Sequence, residues 1–133
     1  AEKSRTGVNM PLWDPGTTDV LSHQGPKDKA PVEMFLKVLG PESEKTRRAL
    51  ETAAYRMSKY KPGVQKSDEQ IQADAESEAK LLAGLTVGGL VFMKEKWVTI
   101  EDKDSAYDLY MQVAPFRKQA VDFITDPKNF MRG

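Results

Sequence analysis

The chain has no cysteine. Disulfides, thiolate nucleophiles and every zinc or iron–sulfur site that needs sulfur are thereby excluded, and a cytoplasmic redox setting fits. His23 is the sole histidine, so metal sites built from several imidazoles are excluded as well. Net charge is missing too: 20 Lys and Arg balance 20 Asp and Glu over 133 residues. That argues against a protein that coats DNA or RNA, where phosphate binding is driven by positive charge. The longest apolar run, residues 81–93, contains Thr86 and three glycines and is too short to span a bilayer. The first five residues hold no apolar stretch, so no secretory signal is expected. What is present, 39% hydrophobic and 30% charged residues, suits one modest core.

Residues 1–31 read as an extended or flexible amino-terminal tail, because Pro11, Pro15, Gly16, Gly25, Pro26 and Pro31 punctuate them. Trp13 is the anchor by which this tail would dock. The remainder, residues 32–133, reads as a single, mainly helical α+β domain with a small β-hairpin or short strands. Residues 32–39 form a strand with Met34, Leu36 and Val38 on one face and Glu33, Phe35, Lys37 and Leu39 on the other. Its neighbour is sought near Val20-Leu21, in Trp97-Val98-Thr99-Ile100, or in another copy of the chain. Helices are expected over about 42–60, 68–96, 105–113 and 115–125, with Ser67 capping the second, Ser105-x-x-Asp108 the third, and Pro115 in the first turn of the fourth. In the second helix Gly84-x3-Gly88 suggests a close crossing.

Charge is segregated along the chain. Residues 45–66 carry seven basic and one acidic side chain, whereas residues 68–78 carry five acidic and none basic. Two solvated helix faces lying antiparallel account for this; a polyanion-binding helix is the competing use, weakened by thin aromatic interleaving.

No catalytic constellation emerges. His23 lies in a glycine-proline loop with no nucleophile elbow around any serine and reads as solvated. Gly84, Gly88 and Gly89 lack the lysine and hydroxyl of a phosphate-binding loop. Glu101, Asp102 and Asp104 lack the ligand spacing of a calcium loop and read as a helix-capping turn, and neither Glu76 with Glu78 nor Asp122 with Asp126 is lifted above surface charge by spacing. The chain is therefore read as a non-enzyme without cofactor or metal. Its aromatic residues and the 81–93 run exceed what so small a core readily hides, which points to self-association or a peptide-like partner.

Several segments carry a resemblance: Trp13-Asp14-Pro15-Gly16-Thr17-Thr18; the strand into Gly40-Pro41-Glu42-Ser43-Glu44; Trp97-Val98-Thr99-Ile100-Glu101-Asp102-Lys103; Ser105-Ala106-x-x-Leu109-Tyr110; and Pro115-x4-Ala120-Val121-x-Phe123-Ile124-x3-Lys128-Asn129-Phe130. Together they resemble the tail assembly chaperones of long-tailed, non-contractile bacteriophages. Two departures are Glu101-Asp102-Lys103-Asp104, where that family often has a glycine, and the glycine-rich 81–93 stretch. The resemblance implies a non-structural helper of virion assembly in the host cell cytoplasm. Such a helper binds the tape measure protein and keeps it soluble during tail tube assembly, forms oligomers, and reaches the tail tube protein through a longer frameshift product. A tail completion or head-tail connector protein is the alternative. Under the chaperone expectation, Leu82, Leu85, Val91, Phe92 and Trp97, with Trp13, are the candidate partner-binding residues. Use of the same residues as core or as a ring-forming seam stays open.

Overall fold

A helix starts where local chemistry can accept its first amides or where proline removes one of them. In the computed structural model, which describes residues 7–14, 16–17, 19–25, 31–58 and 67–130, the Ser67 Oγ accepts the Gln70 backbone N–H at 3.1 Å. That cap opens α2 (Asp68–Gly84), with Asp68 and Glu69 in its positive first turn. Helix α1 (Glu44–Ser58) precedes it; the expected end of that helix at residues 59–60 lies outside the described residues. Helix α3 (Lys103–Gln112) is capped by Asp102, not by Ser105 as expected. The Asp102 carboxylate accepts the Ser105 N–H at 2.9 Å while Ser105 Oγ accepts the Asp102 N–H at 3.2 Å. This capping box starts the helix two residues early, and the Ser105 bonds hold the Asp102 carboxyl below its ordinary pKa. Helix α4 (Ala114–Thr125) carries Pro115 in its first turn, where a missing N–H costs nothing, and a 3₁₀ turn (Pro127–Phe130) follows.

The expected helix over 68–96 is corrected. It ends at Gly84, and the chain continues as β5 (Thr86–Met93) and β6 (Lys96–Ile100), an antiparallel hairpin in which Phe92 faces Trp97 and Met93 faces Lys96. Its two-residue turn, Lys94-Glu95, has positive φ at both positions (51° and 65°), the handedness that tight hairpins demand. Residues 86–93 are apolar on every side, so they match a helical stripe as well as a strand. Their β-branched and glycine content, poor in a helix, decides for the strand. No helix crossing uses Gly84, which has open space around it. Gly89 instead lets β5 approach its neighbour: a Cβ there would stand 2.7 Å from Leu36 Cδ2 and 2.8 Å from the Phe35 carbonyl oxygen.

The expected 32–39 strand divides at Met34 into β3 (Pro31–Glu33) and β4 (Phe35–Val38). The neighbours of β4 are β5 and an unexpected strand, β1 (Val8–Pro11), giving the antiparallel order β1-β4-β5-β6. The described part of residues 1–31 is thus no separate tail. Met10 and Leu12 are fully buried, and Pro11 is tolerated because β1 is an edge strand. Beyond Pro11 the chain turns back through a Trp13–Val20 bridge into β2 (Ser22–Gln24), which pairs with β3. Three backbone bonds, Leu12 N–H to Met34 O, Leu21 N–H to Leu12 O and Met34 N–H to Leu21 O, weld this junction.

The result is a mixed α+β fold, mainly helical, with short strands and hairpins. Met34, Leu36 and Val38 point inward together, as their spacing predicts, joined by Val91 and Ile100. Against that face α2 packs on α3 and α4, and α1 packs on α4. Leu82, Leu109, Tyr110, Phe116, Val121 and Ile124 supply the helical side of the core. Burying each such large side chain contributes about 1.5–3 kcal/mol. At the centre Thr86 Oγ1 lies 2.8 Å from both the Leu82 carbonyl and the Tyr110 hydroxyl. Thr86 has one proton, given to Leu82 O, so Tyr110 is the donor to Thr86. Burial pushes the Tyr110 phenol up to about 12 despite the Thr86 bond.

Candidate functional site

Side chains alternate across a strand, so the register that sends Leu36, Val91 and Ile100 inward sends their neighbours outward. Pro11, Phe35, Leu90 and Thr99 are successive cross-strand partners and form one row on the outer face. The next outer pair, Phe92 and Trp97, meets edge to face with ring centroids 5.4 Å apart. At the opposite end the ladder slips between Lys37 and Val38, leaving Val87 beside Lys37 and 39% exposed. No described helix covers this face. Phe35, Leu90, Phe92 and Trp97 remain half-buried on it, and Lys37 is the one charged side chain in its outward rows among the described strands β1, β4, β5 and β6.

The candidates named from sequence divide accordingly. Leu82 and Val91 are fully buried and Leu85 is 8% exposed, so these three are core side chains that offer a partner no surface. Phe92 and Trp97 lie together on the outer face. Trp13 is separate, beside Met10, Pro11 and Phe123 at the β1 edge. Its backbone is clasped by Gln119 on α4, whose Oε1 accepts the Trp13 N–H at 2.8 Å and whose Nε2 donates to the Trp13 carbonyl at 2.6 Å. The indole itself stays 39% exposed. Sequence reasoning missed Pro11, Phe35, Leu90 and His23. The usable signal was Phe35, already placed opposite Leu36 by period-2 spacing; finding its partner Leu90 required reading 86–93 as a strand.

His23 is not merely a solvated loop residue. Its imidazole is exposed on one side and stacked on Phe92 on the other, with centroids 4.4 Å apart and planes at 25°. One residue on, the Gln24 carbonyl accepts the Trp97 indole N–H at 2.8 Å.

Elsewhere polar groups hold structure together. Glu78 is 7% exposed, 3.2 Å from Arg56 on α1 and 3.6 Å from Arg117 on α4. A buried carboxylate needs such partners, and here it joins three helices. Glu76 points elsewhere, to Gln72, and Asp122 pairs with Lys118, so neither acid pair considered from sequence converges. Arg47 and Arg48 both engage Glu44. Among the described residues no group of acids and histidine is arranged to hold a metal ion, and no helix is long and apolar enough to cross a membrane. The outer face can therefore bind by apolar contact. The chain matches no family model, no curated protein and no solved structure.

Proposed function

We propose that the chain is a non-catalytic chaperone of the tail assembly kind that its sequence resembles, holding amphipathic helical segments of a tape measure protein on the outer sheet face. The observation that carries this reading is the apolar side of the sheet that no described helix covers, while helices bury most of its other side. Four strands about 4.8 Å apart give the face a width of roughly 14 Å, which at 1.5 Å per residue accommodates roughly nine residues of helix. A guest would engage it through anchors at i, i+3 or i+4, and i+7. The half-buried state of Phe35, Leu90, Phe92 and Trp97 suits a holdase, because the apolar area lost from water on binding is modest and release stays accessible. Self-association and action in the host cytoplasm belong to the same reading.

The test is co-expression with the tape measure protein of the same virus, followed by size-exclusion chromatography with light scattering. Wild type is expected to yield a soluble complex. Leu90→Glu is expected to lose it, with binding weakened at least about tenfold, while keeping its melting midpoint. A tape measure protein that stays insoluble beside the folded wild-type chain, or a Leu90→Glu variant that still forms the complex, sinks the reading.

A further inference from the structure

The β2–β3 ribbon differs from the strands around it. It pairs three residues of each strand, too few to be stable on their own. All of β2 is exposed, and β3 has only Val32 partly covered. Its base is firm, because Leu21 and Met34 share the backbone junction with Leu12, and Leu12 and Met34 are buried. Beyond that base, two contacts lay the ribbon on the outer face: the His23–Phe92 stack and the Trp97 indole bond to Gln24 O. Both fall at the same end, over the Phe92–Trp97 pair.

We propose that this ribbon is a strap, closed in this structure, that occupies the Phe92–Trp97 end of the outer face and is displaced by an incoming amphipathic helix. The inference rests on the partner-binding reading of that face. Opening the strap breaks these two contacts and uncovers Gly25, which is buried in the closed arrangement. The Gln24 carbonyl is on an exposed residue and exchanges the indole bond for water, and the imidazole is already wet on one side. What opening uncovers is a second aromatic row, extending the surface from Pro11–Phe35–Leu90 to Phe92 and Trp97. The β1–β4 ladder cannot open in the same way, since Met10 and Leu36 pair in register and are both buried. A guest that covers Phe92 gains what the imidazole gives up, so the strap sets a threshold: weakly apolar helices leave it closed, strongly apolar ones lift it.

The experiment uses the full chain carrying Trp13→Phe, which leaves Trp97 as its single tryptophan. Two readouts are taken: acrylamide quenching of Trp97, and titration with the apolar dye anilinonaphthalene sulfonate. His23→Ala removes the stack and is expected to raise dye affinity by about twofold to tenfold and to increase quenching, with cooperative melting retained. His23→Phe keeps an aromatic stack and is expected to restore the parental values. Unchanged quenching and dye affinity in His23→Ala, loss of cooperative melting, or a His23→Phe variant that behaves like His23→Ala each overturns the strap. These readouts need no tape measure protein. A chain that shows them but binds none of it keeps the strap and loses the chaperone reading. Equal tape measure affinity in the parent and His23→Ala loses the strap alone.

Discussion

The two faces of the four-stranded sheet are built from the same strands in the same register, and both are apolar, yet they have opposite fates. On the inner face Met10, Leu36, Val38, Val91 and Ile100 are each at most 3% exposed. On the outer face Phe35, Leu90, Phe92 and Trp97 stay partly exposed, as do Val8, Met93 and Val98 at the margins of the inner face, and Val87 is 39% exposed. The helices that contact β5, α2 and α3, lie on the inner side, where Thr86 reaches Leu82 and Tyr110. Apolar composition therefore does not by itself decide burial; the number of layers does. A strand apolar on both faces in a two-layer fold has a surplus face, and that surplus is what a binding protein has to offer.

The comparison breaks most sharply at Gly89. Gly89→Val would press new atoms onto Leu36 and the Phe35 carbonyl, backbone that has no room to yield. We expect a loss exceeding about 3 kcal/mol in urea denaturation; a variant of wild-type stability would show that β4 and β5 are not in this register. Next in size is a matched pair across the sheet. Leu36→Ala is expected to cost about 2–5 kcal/mol and Leu90→Ala less than about 1 kcal/mol. Equal costs in thermal and urea melts would show that the outer face is covered after all.

The smallest effect sharpens the inner face alone. With its pKa raised from 10 to about 12 by burial, Tyr110 favours the folded state fully below pH 10, and that contribution is lost as pH rises through 12. It amounts to about 2–3 kcal/mol. Tyr110→Phe should cost about 1 kcal/mol at pH 8 through the lost bond to Thr86, with the deficit closing or reversing by pH 12. A constant deficit from pH 8 to 12 would mean the phenol is reached by water.

Much of the helical half was legible in the chain. The bounds of α4 follow from Pro115 and the spacing of Phe116, Ala120, Phe123 and Ile124, because those signals act within one or two turns. The start of α3 was missed by two residues, since Asp102 and Ser105 compete for the same capping role and only the folded geometry assigns each its part. The β half was legible only in pieces. Inward pointing of Met34, Leu36 and Val38 could be read off; of the partners of their strand, only the stretch beside Val20-Leu21 was sought and found, pairing through Leu21–Met34 and β2–β3. Residues 86–93, apolar at every position that matters, satisfied a helical and a strand period at once. Once they were read as helix, Phe35 lost its visible neighbour Leu90, and the outer face went unrecognised.

By itself the sequence determined the local decisions: the absence of sulfur chemistry and of multi-histidine metal sites, the Ser67 cap and the Pro115 start, the inward side of residues 34–38, and the resemblance that suggests a partner. Those depend on groups a few bonds or one turn apart. Only the tertiary structure decided that β1 joins the core, that Leu82, Leu85 and Val91 are buried while Phe92 and Trp97 face outward, and that His23 rests on the ring of Phe92. Strand pairing joins residues far apart in the chain, such as Met10 with Leu36 and Leu36 with Gly89, and hydrophobic attraction has no direction. Which of two equally apolar faces is covered is settled when the helices pack, not before.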